Sequence, residues 1–298
     1  MSELDAAGWA ALLKTDLAAF NARREAVPGL VVDLRGQDLS GLDLSAARLG
    51  RCDLSFADLS GSTIPAGHVA SCRLEGTILE DVEADDEDEL ELVRVLALLW
   101  VDREAFNLRR DPAGLVAPLV DLSGAVLSGA DLSGCSFTRG RFVGANLVGA
   151  NLKKAAFNQA DLSGASFVGA NCLMTHFEGA TLVGADFSNG KLTAPRFFGA
   201  KLAGGNFAGA EIDTGDFGEA DLSGASFVGA RVRESGFIKS ILDAADLRNA
   251  TIFKTKFTAA RAVGMSVAGA VFTGCTGVGM VLDGVDLEGA SFSDGVLG

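Results

Sequence analysis

The chain has 298 residues, 48% of them apolar, and a mean hydropathy of +0.30. Its 39 acidic against 25 basic side chains leave a net charge of −14, which speaks against direct nucleic-acid binding. The longest apolar run, Val95 to Val101, is far short of the roughly 20 residues of a membrane span. The N-terminus lacks the basic region and apolar core of a signal peptide, and five is an odd cysteine count, so the expected location is the cytoplasm.

Residues 1–30 open the chain with a helix. Trp9, Leu13, Leu17 and Phe20 stand at helical spacing, and Pro28-Gly29 ends the pattern. Residues 31–81 then read as a short block of five-residue units, centred on Leu34, Leu39, Leu44 and onward to Leu79.

Residues 82–119 form a linker and a second helix. The acidic run 81–91 includes Asp85, Asp86, Glu87 and Asp88, which read as a solvated helix start or as a docking site for a basic partner. A helix follows over roughly 87–110, and it repeats the first. Residues 11–24 and 97–110 share nine of fourteen identities, with Phe106-Asn107 and Arg109-Arg110 matching Phe20-Asn21 and Arg23-Arg24. Each copy precedes a block of five-residue units. The chain reads as a duplication of one plan, a helix and then a solenoid, and each helix is expected to cover the open edge of its block.

Residues 120–298 form the long block. Every fifth residue from Leu122 to Leu297 is a unit centre, almost always large and apolar, without a frame slip; Cys172, Ala262 and Gly277 depart from that rule. Two residues before each centre sits a small residue, as at Ala145, Ala150, Ala160 and Ala170. Neither a helix, with period 3.6, nor a strand, with period 2, produces this. A coil that buries both positions and exposes the other three does. Its sequence signature is that of a solenoid.

A second period fixes the coil. Phe137, Phe157, Phe177, Phe197, Phe217, Phe237 and Phe257 lie twenty residues apart. Four units per coil stack them in one ladder and give a square cross-section. Two corner columns are nearly all Gly, with Asn189, Asn249 and Ala244 as exceptions, and demand a turn of positive φ. The other two, with Lys154, Met174, Glu234 and Gln159, Glu219, Lys239, make no such demand on this reading.

The motif Ala-(Asp/Asn)-(Leu/Phe)-x-Gly, repeated over residues 32–81 and 120–298, resembles the pentapeptide repeat family. The resemblance implies an all-β solenoid, a right-handed quadrilateral β-helix with four pentapeptides per coil, here with two short capping α-helices.

No chemistry stands out from the pattern. His68 and His176 are outward and far apart, with no partner base at hydrogen-bonding spacing. The Ser and Asp residues fill repeat positions, and no Cys/His cluster has zinc spacing. All five cysteines fall on inward positions and read as small buried hydrophobes; Cys52 and Cys72, twenty apart, should stack closely enough for a bridge to be conceivable. The sequence therefore assigns no catalytic, cofactor or metal residue, and reads as a non-enzymatic scaffold acting through protein partners.

The family resemblance implies an alternative, a DNA mimic that binds a type II topoisomerase (DNA gyrase or topoisomerase IV) and protects it from inhibitors. Duplex DNA carries one charge per about 1.7 Å and coils rise about 4.8 Å, so mimicry asks for roughly three negative charges per coil. Residues 120–298 hold 17 acidic and 14 basic side chains, a net of −3; the other −11 lies in residues 1–119. One outward column, containing Asp186, Asp246 and Asp286, has no cation, and these three are the candidate partner-binding carboxylates. Finally, Val278, Val281 and Val296 point outward on an unusually apolar last coil, which makes them the candidate interface of a homodimer.

Overall fold

The computed structural model describes residues 4–27, 29–84, 86, 90, 93, 94, 96, 97 and 121–297, with the backbone alone at 66, 296 and 297. Residues 1–127 and 128–298 form two compact units.

In the first unit, the single helix expected over the N-terminus is two: α1, Ala6–Thr15, and α2, Leu17–Ala26. Asp16 makes the break. Its backbone leaves the helical region (φ −150°, ψ 76°), and its carboxylate accepts the Ala19 N–H at 2.9 Å as the N-cap of α2. Asp5 caps α1 in the same way through Gly8 N. The break folds the helices together, so Trp9 meets Phe20 edge-to-face at 5.6 Å and both are buried. Side-chain spacing cannot reveal such a break, because a polar cap and a polar helix residue look alike in sequence.

The repeat block of this unit pairs rung on rung at a spacing of twenty. Strand β1 (Val32–Asp33) lies parallel to β2 (Cys52–Asp53), and β3 (Thr63–Ile64) to β4 (Glu83–Ala84). Pairing thus continues to Ala84, three residues beyond the boundary read from the sequence. One side departs from the β pattern: Pro65, with no N–H to donate, opens the helical turn α3, Ala66–Val69. Helix α2 reaches the facing segment of the coil below. Asn21 donates to Ala46 O and accepts from Arg48 N, both at 2.9 Å, while the Arg24 guanidinium donates to the carbonyls of Leu30, Arg48 and Gly50. The helix thereby occupies backbone groups that would otherwise lack partners.

Residues 90, 93, 94, 96 and 97 are helical, with Leu90, Val93 and Leu96 buried. The rest of the second predicted helix, with its Phe106-Asn107 and Arg109-Arg110 repeat, lies outside the described residues.

The second unit is a square solenoid. Parallel bridges join residues twenty apart on all four faces, as at Arg141↔Asp161, Asn146↔Ser166, Asn151↔Asn171 and Ala156↔His176. One face lengthens into a six-stranded parallel sheet in the order β11-β9-β8-β7-β6-β5. Its strands are β5 (Lys191–Thr193), β6 (Glu211–Asp213), β7 (Arg231–Arg233), β8 (Thr251–Phe253), β9 (Val271–Thr273) and β11 (Ser291–Ser293). The adjoining pair β10 (Thr276–Gly277) and β12 (Val296–Leu297) closes the final coil.

In the second unit the core follows the predicted inward positions as far as Gly277; in the last coil it does not, and the expected centres Leu287 and Phe292 are about half exposed because no further coil among the described residues covers them. The Phe ladder stacks as expected, and a second one faces it. Phe167, Phe187, Phe207 and Phe227 stack at 4.5 to 5.0 Å, within 5° of parallel, and meet the first ladder edge-to-face. This herringbone fills the square from opposite faces with the geometry that aromatic quadrupoles prefer. At the small inward positions, hydroxyls bond to carbonyls of the coil: Thr175 to Leu152 O at 2.8 Å and Ser240 to Phe237 O at 2.9 Å. Ser and Thr can therefore stand where Ala usually does.

The five cysteines are buried and unbridged. Burial pushes the Cys172 thiol up to about 12 and that of Cys72 upward as well; Cys72 donates to Leu49 O at 3.0 Å.

The corners correct the sequence reading. All four columns take positive φ, including the two expected not to: Lys154 (58°), Met174 (54°), Glu234 (49°), Gln159 (59°), Glu219 (57°) and Lys239 (57°). Each of these N–H groups donates to the next coil, as Lys154 N does to Leu173 O at 2.8 Å and Glu234 N to Phe253 O at 2.8 Å. Stacking imposes one backbone on every coil, and side chains other than Gly bear the strain.

Candidate functional site

From Phe137 to Phe257 stacked rings fill the interior, and along that length what the molecule can offer lies on its outer faces. Most outward carboxylates are used locally. An Asp or Asn just before a unit centre accepts the N–H two residues on, as Asp161 does from Ser163 N at 3.1 Å and Asp221 from Ser223 N at 3.0 Å. This is why the motif prefers those residues there.

The three candidate carboxylates fall on one bridged column, and each accepts the N–H two residues on: Asp186 from Ser188 N, Asp246 from Arg248 N and Asp286 from Glu288 N, at 2.9 to 3.0 Å. They differ in their further partners. Asp186 also accepts Asn206 Nδ2 at 3.0 Å. Asp246 is clasped by Arg248, with Nη2 at 2.6 Å from Oδ2, and that guanidinium holds the Asp246 carboxyl below the usual carboxylate range. The column itself has no cation, but its neighbour supplies one.

Of the acidic run, Asp86 is exposed and its carbonyl accepts the Leu90 N–H at 3.0 Å. Asp85, Glu87 and Asp88 lie outside the described residues. Val278 and Val281 are exposed, whereas the Val296 side chain lies outside the description and its backbone pairs with Thr276. His176 contacts Glu178 at 3.3 Å, and Asn158 donates to the same carboxylate at 2.7 Å. Among the described residues no group of His, Cys, Asp and Glu is arranged to hold a metal ion, and no helix is long and apolar enough to cross a membrane.

The structure adds an apolar ridge that the column-by-column reading passed over. Phe198, 46% exposed, and Ile238, 42% exposed, stand two coils apart in one outward column, with Gly218 between them. The Phe198 ring lies over Gly218, where a Cβ would come within 3.1 Å of it. Ile241 continues the ridge around the Lys239 corner. The signal was available in sequence as large apolar residues at outward positions of the repeat.

The family model described as pentapeptide repeats matches in 8 copies, over residues 32–64, 119–153, 160–194 and 216–252. A comparison with curated proteins finds no match. Among solved structures, the chain is similar to HetL, a pentapeptide repeat protein involved in heterocyst differentiation regulation from the cyanobacterium Nostoc sp. strain PCC 7120. That match has 21% identity and a TM-score of 0.47, covering 92% of this chain and 95% of HetL. It is similar also to full-length QnrB1, a plasmid-mediated fluoroquinolone resistance protein (17% identity, TM-score 0.31, 60% and 92% covered). A third is Rfr23 from the cyanobacterium Cyanothece 51142 (20% identity, TM-score 0.16, 64% and 97% covered). The five-residue units stacked at a register of twenty are pentapeptide repeats, matched by that family's model over these four segments of the chain.

Proposed function

We propose that this chain acts without catalysis, as a scaffold whose outer faces bind a protein partner. The observation that carries this reading is the ridge of Phe198, Ile238 and Ile241, exposed large apolar groups gathered within two coils of the second unit. Partner capture by wild-type protein and by Phe198→Ser/Ile238→Ser protein, with Val148→Ser as control, tests it. The double variant should lose the bound species that the control keeps. Equal capture by all three overturns the reading.

A second reading, binding of a type II topoisomerase through a DNA-like face, draws on the family resemblance and on the carboxylate column. Asp246 is neutralised by Arg248 and Asp186 is tied to Asn206, which leaves the column thinner than its sequence suggests. Charge reversal at Asp186, Asp246 and Asp286 should abolish any effect on supercoiling by purified gyrase. The absence of an effect from wild-type protein at micromolar concentration removes this reading.

Self-association through the last coil is supported by Val278 and Val281, 65% and 44% exposed within four residues. Sedimentation should give a dimer of twice 30.6 kDa, converted to monomer by Val281→Asp. A wild-type monomer at tens of micromolar (about the range in which such contacts form) rules it out.

A further inference from the structure

The last coils reverse the size pattern of the core. Elsewhere a large unit centre is followed three positions on by an Ala-sized residue, as Phe142 is by Ala145 and Leu162 by Ala165, all four buried. Near the end the order turns over: Ala262 is followed by Met265, and Gly277 by Met280. Gly277 also interrupts the Phe ladder. Phe237 and Phe257 stack at 5.2 Å, and the next position of that column holds no ring.

The half-exposed centres of the last coil, Leu287 and Phe292, do not close over this reversal. A cavity of about 230 Å³ remains, with Phe257, Met265 and Phe272 on its floor and Met280, Leu287 and Phe292 at its rim. The floor is buried (Phe257 2%, Phe272 4%), whereas Leu287 and Phe292 are about half exposed. Phe272 meets Phe257 edge-to-face at 6.4 Å and stacks with Phe292 at 5.0 Å, so aromatic walls stand on two sides of the gap.

We propose that this cavity binds a small, neutral, planar aromatic molecule, one ring of which stacks on Phe257 where the ladder lacks its next rung. The ladder itself specifies the shape, because every preceding rung on Phe257's column is a flat ring stacked within 5.5 Å of the last. The volume suffices: an engineered apolar cavity of about 150 Å³ stays dry and binds benzene. Flexible thioethers adapt to such a guest and make favourable contacts with its ring edge. A charged ring would lose its hydration without gaining an opposite charge from these walls.

The probe is indole, with benzoate as the charged control, and the reporters are methionine methyl groups labelled with ¹³C. The chain has four methionines; Met265 and Met280 touch the cavity, and Met174 is exposed at a corner away from it. Indole should shift Met265 and Met280 saturably, with a Kd on the order of 1 mM, and leave Met174 in place. Benzoate should bind at least tenfold more weakly. Gly277→Phe restores the missing ring on an extended strand and should abolish the shifts. If that variant fails to fold, intermolecular NOEs from indole to the Met265 and Met280 methyls of wild-type protein decide instead. Unmoved methyls up to the solubility of indole, absent NOEs, or a folded Gly277→Phe that still responds overturns the proposal. So does a shift of Met265 and Met280 with protein concentration in the absence of indole, because a second copy then occupies the cavity; a dimer that leaves both methyls unmoved is compatible with it.

Discussion

The rings of Phe177 and Phe197, twenty residues apart, lie 4.8 Å from one another and 3° from parallel. That separation is the rise of one coil, so the aromatic ladder and the backbone ladder share a single spacing. Removing a rung therefore leaves a void that its neighbours cannot close without breaking the backbone register.

Phe217 sits between Phe197 at 4.9 Å and Phe237 at 4.7 Å and is fully buried. Phe217→Ala should destabilise the second unit by about 3–5 kcal/mol. Ser223→Ala, which removes an outward hydroxyl bonded to Asp221, should have a much smaller effect. Denaturant melts compare the two, and equal stability would contradict the enclosed ladder.

Thr214 holds φ at 53° although it is β-branched, because its N–H must reach Arg233 O at 2.9 Å. Relief of that strain is worth about 1–2 kcal/mol, of which the greater freedom of unfolded Gly takes back roughly 0.4–1 kcal/mol. Thr214→Gly should raise the melting temperature slightly, and Thr214→Asn should do likewise. A lower melting temperature in both would show that the corner tolerates Thr without strain.

Asn21 serves one acceptor and one donor of the coil beneath α2. Asn21→Ala leaves both to solvent and should loosen the helical pair by about 1–2 kcal/mol. Hydrogen exchange should report this as faster exchange in α1 and α2, with the rungs of the second unit unchanged.

Acid should weaken the fold from its surface. Hydrogen bonds from Ser40 to Asp38 and from Arg248 to Asp246 lower the carboxyl pKa values in the folded state. A group so lowered contributes stability that is present above its unfolded value, about 3.9, and is lost as pH falls through the folded one. Denaturant midpoints should therefore decrease as the pH drops below about 4, and Asp246→Asn should flatten that dependence. Carboxyl shifts followed by NMR check the assignment directly.

Much of this molecule was legible in one dimension. The five- and twenty-residue periods, the inward positions and the Phe column at Phe137 to Phe257 follow from residue size at fixed spacing, which is what a stacked coil repeats. The conformations of Lys154 and Glu234 were not legible, because their φ is set by the coils stacked on them rather than by their own preference. The break at Asp16, the grip of Asn21 and Arg24 on residues 46–50, and the herringbone of Phe187 against Phe197 depend on which elements meet in space. The pairing of Asp246 with Arg248 is of the same kind: the sequence placed both residues, and only the fold turned the guanidinium onto the carboxylate, where their opposite charges attract.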